Sequence, residues 1–478
     1  WVNAPSGFRA PAARNFSEYL SYVSSEVYKS APKVRNEMVA RRELSSQGAK
    51  ARREIAESLL TRADSPALGF QGFGPEKSMY DAVFLSTGMH ELSADDSWGL
   101  SVPTEKEWAS IWKYLANAIV PGSRINLSVI GKGLKNPPFG LKSGLLWLVV
   151  FTYLVANESD LAIYENDSLI LGLDDAIAER LLKNPSFFSV RKTGVNSGLR
   201  RELVSKLGSR FGLRAGADAT FMTVVRALFR NLQQLPPYTL KTSAHVPKGA
   251  TAIRTLFETA KEPDVLLFES VPTSLGFAAV TDQKDQTEYQ DGIDKLVEVV
   301  YTQFYELDKA YSDLLSRITS AIANGFGAPG DISSLRAHLT ELSGRLPKTS
   351  SADFIATFKF AMDRDFIDER SWLENLAMVI LGGYPPRQWS DVNESEFGQS
   401  VVVAASKIRD LEKFAFTDAE QLSSRRLITV TSPDGTSTSE LFDLEEAKLG
   451  KAQELLQTIS ALPLFEGLTP REQAILLM

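Results

Sequence analysis

The chain has 478 residues, 44% of them hydrophobic and 23% charged, with a formal net charge of −7 and no cysteine. At about 150 residues per domain, this length implies two to four domains of ordinary globular composition. The missing cysteines exclude disulfides, thiolate metal sites and cysteine nucleophiles, and the acidic balance restricts any nucleic-acid-binding surface to a local patch.

The longest apolar run, Leu145–Ala156, is too short to span a bilayer and reads as a buried helix. The opening residues contain no apolar core of a signal peptide. A cytoplasmic protein without a membrane segment is the expectation. The chain starts with Trp1 rather than Met and ends at Met478 inside a helical pattern, which suggests a piece of a longer polypeptide.

In chain order, Phe16–Tyr28 has apolar residues at helical spacing, and Ala31-Pro32 breaks the pattern. Lys33–Arg62 reads as arginine-rich helices, the second starting at Ser45-Ser46. Gly69–Pro75 is a turn, Glu76–Leu92 a helix and Trp98–Thr104 a loop. Glu105–Val120 is an amphipathic helix carrying Trp108, Ile111, Trp112, Leu115 and Ile119 on one side. Ile125–Leu134 reads as a short helix. The proline-braked turn at Pro137–Gly140 then leads into the apolar helix from Gly144 to Ala156. Two strands follow, Leu161–Tyr164 and Ser168–Leu171, joined at Asn166-Asp167. Helix, helix, helix and hairpin is the order of a winged helix. Its third helix lacks the polar, basic face that meets DNA, because only Lys142 precedes it. That makes it a scaffold helix rather than a groove reader.

Asp174–Leu182 reads as a helix and Ser186–Arg191 as a further strand for the same sheet. Val190–Arg230 is the most basic window, and Phe221–Leu232 and Pro247–Ala260 are helical. Pro263–Glu269 is a short buried segment. Asp282–Lys309 is acidic, and Tyr289–Asn324 has the periodicity of one long helix or two. Helices over Ile332–Leu346, Ser351–Met362, Ser371–Leu381 and Ser395–Phe416 follow. A hairpin, Arg426–Thr431 with Thr438–Phe442 around Pro433-Asp434-Gly435, precedes helices over Glu445–Leu462 and Thr469–Leu477. The fold class is mainly α: multi-helical, with a winged-helix-like module and small β-hairpins. The segments divide into an arginine-rich helical domain (1–104), a winged-helix-like domain (105–215), a helical connector (216–281) and a helical C-terminal domain (282–478) with its hairpin near 426–442.

No signature of catalysis stands out. Gly131-Lys132-Gly133 lacks the spacing and the following Ser/Thr of a phosphate-binding P-loop. Gly69, Gly72 and Gly74 lie outside a strand–turn–helix setting, so they read as a turn. His90, His245 and His338 have no metal-type neighbour at i+3 or i+4. No nucleophile elbow is present, and Asp363–Asp365 and Asp368–Arg370 look like solvated ion-paired loops. Candidate phosphate contacts are Arg191, Lys192, Arg200, Arg201, Lys206, Arg210 and Arg214. The competing reading is that these residues are solvated helix faces or pair with the acidic 282–309 segment. Arg35, Arg41 and Arg42 are candidate nucleotide sensors, because a helical arginine beside a nucleotide core reaches a terminal phosphate. This chain itself calls for no cofactor; ATP and magnesium would belong to an upstream domain.

Two stretches carry a resemblance. The first is Arg35-Asn36-Glu37, Arg41-Arg42, Leu44-Ser45-Ser46, Ala51-Arg52-Arg53, and then Gly69, Gly72 and Gly74-Pro75-Glu76. The second is Pro137–Lys142 with Gly144 and Ala162–Glu165; Leu235–Tyr238 and Trp389–Asp391 act as further landmarks. Together they resemble the region that follows the P-loop domain in large ATPases of bacterial phage-defence islands, of the BREX and Dnd-like kind. The resemblance implies a non-catalytic region of a larger ATPase, acting in oligomerisation and in binding partner proteins or DNA. It carries over no catalytic residue, since the P-loop itself is missing. The alternative is a stand-alone scaffold without nucleotide chemistry.

Overall fold

Polar side chains that close helix ends fix many element boundaries in the computed structural model. It describes residues 16–193, 198–214, 219–281, 289, 293–346, 353–362, 368–414, 425–431 and 437–443, and in addition 450, 451, 454, 455 and 458. The chain is mainly helical with small antiparallel sheets. It forms two compact units, Trp1–Leu235 with Val246–Asp308, and Pro236–His245 with Lys309–Met478. Among the described residues no helix is long and apolar enough to cross a membrane.

In the first unit α1 (Phe16–Val27) buries none of its residues. Helix α2 (Ser46–Thr61) begins where the Ser45 hydroxyl accepts a hydrogen bond from the Gly48 amide at 3.2 Å. The preceding segment, Lys33–Leu44, is not the helix its composition predicts. The Asn36 side chain accepts from the Met38 and Val39 amides instead, satisfying locally the donors a helix would use. Helix α3 (Pro75–Tyr80) runs on as a wider turn to Leu85 and stops there. The expected helix end and loop are replaced by strands β1 (His90–Leu92) and β2 (Trp98–Leu100), paired antiparallel. Helix α4 (Lys106–Ala118) buries Trp108, Ile111, Trp112 and Leu115, as its spacing predicts.

Strand β3 (Ile125–Asn126) takes the first two residues of the expected second helix, because Asn126 caps α5 (Leu127–Lys135) instead of joining it. Helix α6 (Ser143–Ala156) is buried from Gly144 through Leu154, so its apolar residues on every side are all used. Strand β4 (Leu161–Glu165) turns into β5 (Ser168–Ile170) through Asn166 and Asp167, at φ of 47° and 65°. Both central residues are left-handed, which suits a two-residue hairpin and the residue types found there. After α7 (Asp175–Lys183), strand β6 (Phe188–Lys192) joins the sheet, as expected. The sheet order is β3-β6-β4-β5. Ile163 on β4 faces both Val190 and Ile170 in register. The hairpin thus belongs to a larger four-stranded sheet, with α7 inserted between β5 and β6, and this topology does not confirm a winged helix.

Helices α8 (Gly198–Arg210) and α9 (Phe221–Gln233) follow. The chain next contributes α10 (Pro237–Lys241) to the second unit and returns with α11 (Lys248–Thr259). The buried segment after Pro263 is helical, with α12 (Pro263–Val265) and α13 (Val271–Ser274) separated by a wide turn holding Leu266, Leu267 and Phe268. Helix α14 (Asp294–Phe326) is one continuous helix.

The second unit continues with α15 (Ile332–Arg345), α16 (Asp353–Met362), α17 (Glu369–Leu381) and α18 (Asp391–Glu412). Asp331 and Asp368 cap α15 and α17. Gly382, at φ 85°, ends α17 in the left-handed conformation that glycine adopts without strain. Trp372, Trp389 and Phe358 are fully buried in the core of this unit. Strands β7 (Arg425–Thr431) and β8 (Ser437–Asp443) form the expected hairpin. Its Pro433–Gly435 turn and the helix expected over 469–477 lie outside the described residues, as does most of 445–462.

Candidate functional site

Strand β6 lies between β3 and β4 and places Arg191 against α12 and the residue before it, Glu262. Arg191 Nη1 donates to Asp264 Oδ2 at 2.9 Å, Nη2 donates to Asp264 Oδ1, and Nη2 also lies 3.0 Å from Glu262 Oε2. Tyr164 on β4 donates from its hydroxyl to the same Glu262 oxygen at 2.9 Å. Arg124 covers the Tyr164 ring at 3.6 Å and pairs with Glu262. The Arg191 side chain is 9% exposed. Burial works against its charge, but the hydrogen bond and charge of Asp264, aided by Tyr164 and Glu262, hold its pKa above the usual value. Burial pushes the Tyr164 hydroxyl up to about 12; Arg191's charge opposes this and Glu262 reinforces it. The cluster fastens the sheet to residues 262–264, so Arg191 is a structural arginine rather than a surface contact.

The rest of the basic window divides in two. Arg200 donates from Nε to the Val280 carbonyl at 2.9 Å and lies over the Phe268 ring. Lys206 Nζ is 2.8 Å from both Glu202 and Asp294. Arg210 donates to Glu298 at 2.9 Å and stacks on Tyr301, 3.4 Å from the ring centroid. Pairing with the acidic segment therefore accounts for Lys206 and Arg210. Lys192, Arg201 and Arg214 are exposed and make no ion pair among the described residues.

The arginines read as nucleotide sensors do not lie on a helix. Arg35, Arg41 and Arg42 are exposed on the irregular 33–45 segment. Arg35 lines a cleft with Lys33 and Lys77, whereas the Arg41 carbonyl accepts from the Gly144 amide at 3.4 Å. His90 is a core histidine: its Nε2 meets the Ala63 carbonyl at 2.8 Å, its Nδ1 meets the Tyr80 hydroxyl at 2.8 Å, and its ring packs on Trp98. Among the described residues no group of three or more His, Asp or Glu is placed to hold a metal ion.

The landmark motifs meet in space within each unit. In the first, Ser30 donates its amide to Pro138 O at 3.0 Å, and Arg52 reaches the Ser143 and Gly144 carbonyls. A Cβ on Gly144 would lie 2.7 Å from Leu44 and 2.9 Å from Val39 O, so glycine is required by close packing there. In the second, Asp391 accepts from Thr242 Oγ1 at 2.5 Å and from the Ser243 and Ala244 amides. Glu394 accepts from Tyr238 at 2.8 Å and Arg317 at 2.6 Å. Burial, joined by Glu394, pushes Tyr238 up to about 12. Sequence spacing alone could not reveal these pairings, because the two halves of each lie far apart along the chain.

No protein-family model, curated protein or solved structure matches the chain.

Proposed function

We propose that the chain is a non-catalytic, partner-binding scaffold region of a larger ATPase-type anti-phage defence protein, contributing to its oligomerisation. One observation carries this reading. Two heavily bonded charged clusters, Arg191–Glu262–Asp264 and Arg317–Glu394–Tyr238, each close on themselves and join elements of one unit. Charges spent in this way hold architecture. Two residues of the motifs that carry the ATPase resemblance, Tyr164 and Tyr238, are bonded into these clusters. The test is cross-linking mass spectrometry in cells that produce the chain and are challenged with phage. Cross-links to a P-loop ATPase, with phage resistance lost when the chain is removed, are expected. Cross-links confined to the chain, with resistance unchanged, would sink the reading.

A second reading has its own observation. Lys192, Arg201 and Arg214 are exposed and make no ion pair among the described residues, which supports non-specific, salt-sensitive contact with a DNA backbone.

A further inference from the structure

The geometry points to a binding site for a nucleobase with its phosphate in the cleft between the Gly72–Gly74 loop, the Lys33–Arg35 segment and the start of α4. The cleft has a volume of about 1020 Å³, sufficient for a nucleotide. Phe73 is fully exposed on its lining, between Gly72 at φ +75° and Gly74. Phe73 has no neighbouring ring among the described aromatic contacts, so its face is available for stacking.

The charges around it divide in the same way as those of the basic window. Lys77 is committed, with Nζ at 2.5 and 2.7 Å from the two Asp81 oxygens. Lys33, Arg35 and Lys106 line the cleft and make no ion pair among the described residues. Glu105 and Glu107 oppose them. Both sit at the N-terminal end of α4, one at the cap position and one in the first turn, where the helix dipole offsets part of their charge. An aromatic face beside uncommitted cations is the combination that holds a base by stacking and its phosphate by charge. The same chemistry arrives as a free nucleotide or as one residue of a single strand. This site uses none of the residues assigned to the DNA backbone above.

The test titrates the whole chain with ATP and, separately, with a fluorescent oligodeoxythymidine. Saturable binding in either arm supports the site, and the arm that responds identifies the source. F73A should weaken that binding about tenfold, F73W should retain it, and K33A/R35A should weaken it and flatten its salt dependence. The melting temperature of F73A should match the parent, since Phe73 has no packing to lose. No binding in either arm, or F73A binding as tightly as the parent, overturns the proposal. The K192A/R201A/R214A variant should bind this probe like the parent if the cleft is the site; its failure to do so would overturn the assignment.

Discussion

Arg191, on an inner strand of the four-stranded sheet, donates to Asp264 at 2.9 Å across 73 positions of sequence. The bond ties the sheet to a segment made much later, and the Arg191 side chain is nearly dry while both acids are about one-third exposed. R191L leaves Asp264 without its cation and Glu262 with the Arg124 partner alone among the described residues. It should cost about 3 kcal/mol in urea unfolding. Adding D264L should recover part of that loss, so the double variant is less destabilised than the sum of the singles. Strict additivity would show that the pair is not coupled.

Gly144 gives a second test. An alanine there must displace Leu44 or the Val39 carbonyl, and backbone yields poorly. G144A should lose about 1–3 kcal/mol by overpacking. G172A, where a Cβ meets nothing within 4 Å, serves as the control and should melt within a degree or two of the parent.

His90 makes stability depend on pH. The Ala63 carbonyl can only accept, so Nε2 carries the proton and Nδ1 accepts from Tyr80. Burial holds the His90 pKa below its usual value, and the bond to Ala63 only partly opposes this. The unfolded chain takes up its proton near pH 6.5. The contribution is therefore complete above about pH 6.5 and declines as pH falls below it. Melting temperatures recorded from neutral to acid pH should drop in the parent, and H90Q should remove this site's share of the slope.

Tyr80, Tyr164 and Tyr238 are all pushed up to about 12, chiefly by burial. A near-ultraviolet titration should show a late-ionising fraction, and Y164F should shrink it. The sign is opposite to that of His90. These neutral phenols support the fold below about pH 10, and their support is lost as pH rises towards 12.

For DNA, K192A/R201A/R214A should abolish salt-sensitive duplex binding while leaving the melting temperature unchanged. R210A should leave binding intact, because Glu298 and Tyr301 already engage that guanidinium. An anisotropy titration at about 50 and 200 mM salt separates the two outcomes.

Helix α4 was legible because Trp108, Ile111, Trp112 and Leu115 repeat with the helical period, and the β4–β5 turn because Asn166-Asp167 suits positive φ. Strands β1, β2 and β3 were not, since two or three residues are too few to show alternation. The Lys33–Leu44 segment misled for a different reason. Its helix-forming residues are overruled by the Asn36 side chain and by packing against Gly144, neither of which shows in local periodicity. Individual charge partners were not legible where the deciding carboxylate lay far along the chain. Nothing near Arg191 in sequence announces Asp264, and Arg201 and Arg210 look alike until Glu298 is placed.

The excursion of Pro236–His245 into the second unit sets an order of events during synthesis. Tyr238 leaves the ribosome 79 residues before Arg317 and 156 before Glu394, two of its hydrogen-bonding neighbours. At about 5–20 residues per second, Glu394 arrives about 8–30 s after Tyr238. The first unit can close around its own core in that interval, while Tyr238 and Thr242 wait with their polar groups in water. A ribosome stalled before α18 would therefore carry a nearly finished first unit and an open second one, a species that chaperones would recognise and that truncation near this point would make permanent.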